Sequence, residues 1–134
     1  MSKMIFVNLP IADVVRSREF FGKLGYSFNE QFSNEQGLCL VISDTIFAML
    51  VKPEFLNTFL DKPVGNPKDG VTGLISLSFD SAEEVREMCE RAFAAGARNY
   101  KEPTDLGFMF QWGFEDLDGH IWEAFWMNPE NVQS

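Results

Sequence analysis

The chain has 134 residues, with 20 acidic and 11 basic side chains, one histidine and a formal charge of −9 at pH 7. At about 100–150 residues per domain this is a single domain, long enough to bury roughly two thirds of its unfolded surface without disulfides or a structural metal. The acidic balance argues against nucleic acid and anionic membrane surfaces as partners, because both need clustered Lys and Arg.

The solitary His120 means that a metal site would have to be built mostly from carboxylates. Fourteen Phe beside three Trp and two Tyr indicate either a Phe-rich core or an apolar cavity lined with Phe. Cys39 and Cys89 are too few for a disulfide framework and sit in apolar stretches, so both read as reduced and buried. The first residues do not read as a signal peptide, and the longest apolar run, Ile46–Val51, is far short of a membrane span. A cytoplasmic location is expected.

In chain order, residues 4–9 read as a strand ending at Pro10. Asp13 caps a helix that carries Val14, Phe21 and Leu24 on one face and stops at Gly25. Residues 26–32 look extended and 34–37 form a turn. A strand at 38–42, a turn at 43–45 and a strand at Ile46–Val51 follow. Residues 52–71 hold Pro53, Pro63, Pro67, Gly65 and Gly70, a linker in which Phe55, Leu56, Phe59 and Leu60 fit a short amphipathic helix opened by Pro53. Lid, dimer contact and packed connection are all open roles for it. A strand at 73–79 precedes the capping box Ser81-x-x-Glu84, which opens a helix with Val85, Met88, Cys89, Ala92 and Phe93 at helical spacing, closed by Gly96. Extended segments at 97–101, 108–114 and Ile121–Met127 complete the chain, the last two joined by Asp116-Leu117-Asp118-Gly119.

Both halves therefore read β-α-β-β-β, an internal duplication. The modules are residues 4–52 and 71–128, joined by a linker at 53–70. One module cannot bury its sheet face alone, so modules or chains must pair. Alternation along the strands assigns the faces. Ile5, Val7 and Leu9 turn toward the helix, and Met4, Phe6 and Asn8 away from it. Ile75, Leu77 and Phe79 oppose Leu74, Ser76 and Ser78, and Ile121, Glu123, Phe125 and Met127 oppose Trp122, Ala124 and Trp126. A helix-free face that carries Phe6, Met49, Leu74 and Phe125 must be filled or covered. A curved sheet around a pocket does this, and so does a second chain.

Three segments resemble the vicinal oxygen chelate superfamily, which holds glyoxalase I, bleomycin-resistance proteins and extradiol dioxygenases. They are Leu9-Pro-Ile-Ala-Asp13 with Ser17-x-x-Phe20-Phe21 and Leu24-Gly25, then Gly73-Leu-Ile-Ser-Leu-Ser-Phe-Asp80, and Phe114-Glu-Asp-Leu-Asp-Gly-His-Ile-Trp-Glu123. The last is similar to a closing signature Asp-Pro-Asp-Gly, a few residues, Glu, with Leu117 in place of Pro. The resemblance implies an α+β fold of two βαβββ modules whose curved mixed sheets form a concave cavity. Metal-dependent members place four His, Gln or Glu ligands on the concave face. Those positions fall here on Phe6, Met49, Leu74 and Glu123, and three apolar side chains beside one carboxylate do not make a divalent-cation site. His120, three residues from Glu123, points to the opposite face and reads as flanking the turn, as do Asp116 and Asp118.

The expected function is metal-free and cofactor-free binding of a small aromatic or cationic molecule. Its apolar pocket would be made by Phe6, Phe47, Met49, Leu74 and Phe125, with Asn8, Ser76, Gln111 and Glu123 as polar groups. The resemblance implies a homodimer. The competing reading is a glyoxalase-like lyase or isomerase, or a dioxygenase, using a divergent metal site or Glu123 as general base. In a third reading a partner chain covers the apolar face and nothing else binds.

Overall fold

The computed structural model describes residues 3–131. The chain divides into two compact units, Met1–Asp69 and Gly70–Ser134, each built as β-α-β-β-β. No helix among the described residues is long and apolar enough to cross a membrane.

In the first unit the strands are β1 (Ile5–Pro10), β2 (Ser27–Phe28), β3 (Gly37–Val41) and β4 (Ile46–Val51), with α1 (Val14–Lys23) after β1. The sheet order is β1-β4-β3-β2, parallel between β1 and β4 and antiparallel elsewhere. Asp13 caps α1 by accepting a hydrogen bond from the Arg16 amide at 3.0 Å. Gly25, just past the helix, takes the left-handed conformation that stops it (φ 99°). The helix buries Phe20, Phe21 and Leu24 and packs on β3 and β4. Cross-strand pairs Leu38 with Leu50 and Leu40 with Ala48 are fully buried. Each such leucine contributes about 1.5–3 kcal/mol of transfer free energy.

After β4, Pro53 opens α2 (Pro53–Leu56), which tightens into a single 3-10 turn at Asn57–Phe59. The amphipathic helix predicted in the linker is therefore present but short. Leu56 is its buried residue, and the rings of Phe55 and Phe59 stay exposed and pack edge-to-face at 5.1 Å.

The second unit repeats the topology. Its strands are β5 (Ile75–Ser78), β6 (Thr104–Asp105), β7 (Met109–Glu115) and β8 (Ile121–Met127), ordered β5-β8-β7-β6, with α3 (Ala82–Ala94) after β5. The predicted capping pair forms, with Glu84 reaching one residue beyond the N-cap Ser81. Ser81 Oγ accepts from the Glu84 amide at 3.1 Å, and Glu84 Oε2 accepts from the Asp80 amide at 3.0 Å. Val85, Cys89 and Ala92 are fully buried where α3 packs on β7 and β8. On that side Phe93 meets Trp112 edge-to-face at 5.2 Å and Arg86 lies 4.4 Å above the Phe110 ring.

Most predicted elements agree with the observed ones to within two residues. The two that shrink most are extended segments. Residues 26–32 yield only β2 and a 3-10 turn at Glu30–Phe32, because the Asn29 side chain accepts from the Gln31 amide and bends the chain. Residues 97–101 contribute a single bridge, Arg98 to Glu115, before β6. Cys39 and Cys89 are both buried, as expected, and are not joined to each other.

Candidate functional site

Of the polar candidates, Ser76, Gln111 and Glu123 collect on the face of the second sheet turned away from α3, whereas Asn8 lies in β1 of the first unit. Register sets Ser76 against Glu123 and Ser78 against Phe125 across β5 and β8. It also sets Gly113 against Glu123 and Gln111 against Phe125 across β7 and β8. Residues paired in this way share a sheet face. Ser76, Gln111, Glu123 and Phe125 therefore form one patch, and the spacing along the chain adds exposed Leu74 to it. Phe110, Trp112, Phe114, Trp122 and Ala124 take the opposite face, against or beside α3.

Within the patch, Ser76 Oγ donates to Glu123 Oε1 at 2.8 Å. Ser76 is thereby the side-chain hydrogen-bond partner of Glu123. In the first unit the Asn8 amide donates to the Phe6 carbonyl at 3.2 Å within its own strand. Among the described residues Glu123 has no ion-pair partner. The neighbouring acid on the same strand face, Glu115, is already paired with Arg98 at 2.8 Å.

One member of this patch escaped the sequence reading. A Cβ placed on Gly113 would lie 2.8 Å from the Tyr100 hydroxyl and 3.4 Å from Glu123 Cα. The tyrosine therefore fills the space that a side chain at 113 would take, and its hydroxyl lies beside the row that carries Glu123. Burial, then the Glu123 charge, pushes the Tyr100 phenol above its ordinary value. A glycine inside a strand is the signal that could have pointed here, since it marks the close approach of another group.

In the first unit, register brings Phe6 against Phe47 and Asn8 against Met49 across β1 and β4. The Phe6 ring stacks on Phe47 at 4.8 Å and 11°. Phe47 is buried, whereas Phe6 is 45% exposed. These four residues form an apolar patch with one amide, made by the strand pair itself.

The four positions at which the resemblance implies metal ligands are Phe6 and Met49 in the first unit and Leu74 and Glu123 in the second. No group of three or more His, Cys, Asp or Glu converges among the described residues. The donors present, one carboxylate and its serine, do not fit a divalent cation, which needs several oxygen or nitrogen ligands.

The turn before β8 is set by Asp116. Its Oδ1 accepts from the amides of Asp118 at 3.0 Å and His120 at 2.9 Å, and its Oδ2 accepts from the indole of Trp122 at 2.9 Å. Gly119 supplies the positive φ (104°). Asp116 and Asp118 are thus turn residues, as expected. His120 flanks the same turn, and its backbone carbonyl accepts from the Asp116 amide at 2.8 Å. By fixing where β8 begins, this turn sets which face Glu123 occupies.

Residues 3–43 match the family model described as bleomycin resistance protein-like N-terminal. No curated protein matches the sequence. Three solved structures are similar over nearly the whole length. A hypothetical protein from S. aureus is 22% identical over 93% of this chain and 94% of its own, with a TM-score of 0.78. A glyoxalase/bleomycin resistance protein/dioxygenase family enzyme from Burkholderia phytofirmans is 19% identical over 94% and 99%, with a TM-score of 0.75. The genomically encoded fosfomycin resistance protein FosX from Listeria monocytogenes is 18% identical over 97% of each chain, with a TM-score of 0.69. Identities this low establish a shared fold.

Proposed function

We propose that this chain, whose fold is similar to that of glyoxalase/bleomycin resistance/dioxygenase family structures, is a member of the vicinal oxygen chelate superfamily that binds a small aromatic molecule without a metal. The observation that carries this reading is the Ser76–Glu123 hydrogen bond of 2.8 Å, on a sheet face that also presents Leu74 and Phe125. A carboxylate held by a serine among apolar side chains anchors one polar end of a ligand. The apolar neighbours supply the area that a ring needs. The half-exposed Phe6, stacked on Phe47 in the first unit, supports the same reading, since it leaves aromatic surface available. Three of the four superfamily ligand positions carry Phe, Met and Leu, which supports binding in place of metal chemistry.

Two measurements test this together: elemental analysis of protein purified without chelator, and thermal unfolding against a panel of aromatic compounds. A ligand at a hundred times its dissociation constant adds about 2.7 kcal/mol to stability. Stoichiometric Zn, Ni, Fe or Mn overturns the metal-free reading, and no stabilisation across a broad panel overturns small-molecule binding.

The fixed position of the Glu123 carboxylate also favours a second reading, in which it acts as general base of a lyase, isomerase or dioxygenase. Unchanged turnover in Glu123→Gln removes that reading. The superfamily resemblance supports a homodimer, and light scattering on the purified protein decides the oligomeric state.

A further inference from the structure

We propose that Tyr100, Ser76 and Glu123 form a seat for a protonated amine, so that the ligand of this face is an aromatic compound carrying an ammonium group. This rests on the small-molecule-binding reading above and narrows it to a chemical class.

Charge gives the first argument. Glu123 is half-buried and has no basic partner among the described residues, whereas the next acid on its face, Glu115, is matched by Arg98 at 2.8 Å. A carboxylate in that position attracts a cation and repels an anion.

The donor and acceptor inventory gives the second. Ser76 spends its hydroxyl hydrogen on Glu123 Oε1. The Tyr100 hydroxyl, held against Gly113, which pairs with Glu123 across β7 and β8, offers an oxygen acceptor on the same sheet face as the carboxylate. Gln111 adds a carbonyl on the same face, one strand position pair further along. An ammonium group has three donors and no acceptor, which complements a carboxylate flanked by oxygens.

Aromatic surface gives the third. Phe125 lies two residues from Glu123 on the same strand face, within reach of a cation seated at the carboxylate. The absence of a side chain at 113 is part of the design, because any Cβ there would strike the Tyr100 hydroxyl at 2.8 Å.

Tyr100 is thus a specificity-determining residue, and its contribution is separable from folding because Tyr100→Phe keeps the ring. The test uses 1-naphthylmethylamine and its neutral isostere 1-naphthylmethanol, titrated into 15N-labelled protein. The amine is expected to shift the amide signals of Gly113 and Glu123 and to bind about tenfold more tightly than the alcohol, the equivalent of one charge-assisted hydrogen bond. Glu123→Gln is expected to equalise the two, and Tyr100→Phe to lower the preference about threefold with unchanged affinity for the alcohol. Equal binding of amine and alcohol to the native protein overturns the ammonium seat and leaves small-molecule binding standing. So does a preference that survives Glu123→Gln. Absence of binding by either compound overturns both.

Discussion

The indole Nε1–H of Trp122 donates to Asp116 Oδ2 over 2.9 Å, while Oδ1 of the same carboxylate closes the turn on the amides of Asp118 and His120. One buried carboxylate thereby joins the turn to the strand that carries Glu123. Asp116→Asn can keep the turn acceptors but must aim its amide hydrogens at the indole N–H. The expected cost is about 1–3 kcal/mol in urea unfolding, the price of a buried donor left without a partner. Trp122→Phe adds the loss of indole packing and is expected to cost more.

The same group predicts a pH dependence. Burial raises Asp116 above its ordinary 3.8, against the opposing pull of His120 and of the N–H donors. A carboxyl raised on folding binds its proton more tightly in the folded state. It therefore contributes stability that is fully present below its unfolded value and lost as pH rises through the folded one. The stability difference between the native protein and Asp116→Asn is expected to grow as pH falls from about 7 to about 4. A difference that stays constant or shrinks contradicts the assignment.

Gly113 should tolerate no side chain. A Cβ there lies 2.7 Å from the Trp122 carbonyl oxygen and 2.8 Å from the Tyr100 hydroxyl. The first is backbone within the β7–β8 ladder and cannot withdraw. Gly113→Ala is expected to destabilise by about 1–3 kcal/mol, as overpacking does in well-filled sites. Removing the hydroxyl in Tyr100→Phe should restore part of that loss, and the coupling from a double-mutant cycle reads the Tyr100 contact directly. Zero coupling would place the tyrosine elsewhere.

Both thiols should be silent in the native protein. Cys39 and Cys89 are fully buried, and burial pushes both thiols up, that of Cys89 to about 12 with help from the nearby Glu90 charge. Only the thiolate reacts readily. A chromogenic disulfide reagent at neutral pH is expected to modify neither cysteine until denaturant is added, and then both. Prompt reaction of either in the native state contradicts its burial.

The sequence carried the elements whose signals are local. Asp13, Ser81, Gly25 and Gly96 mark helix ends through side-chain acceptors and positive φ, chemistry written at single positions. The duplication and the strand faces followed from periodicity, and the superfamily resemblance placed Phe6, Met49, Leu74 and Glu123 at corresponding positions. Contacts made between distant positions were not legible. Tyr100 stands outside every regular strand, and it meets Gly113 only because the Arg98–Glu115 bridge lays its segment along β7. That Ser76 is the partner of Glu123 likewise depends on strand order, since β5 is the neighbour of β8 in the second sheet.

Phe6 separates ligand contact from fold stability in the first unit. Its ring stacks on Phe47 at 4.8 Å, yet 45% of the residue is exposed, whereas Phe47 is 8% exposed. Phe47→Ala opens a cavity in a packed sheet and is expected to cost about 3–5 kcal/mol. Phe6→Ala removes a half-exposed ring and one stacked pair, for which about 1 kcal/mol is the expected loss. If the exposed ring is there to meet a ligand, Phe6→Ala should weaken binding of an aromatic probe such as 1-naphthylmethanol several-fold, while the thermal midpoint of the unliganded protein falls by only about 3–6 °C. Full retention of probe affinity in Phe6→Ala would exclude the first unit's aromatic pair from the binding surface and leave the second sheet's face as its location.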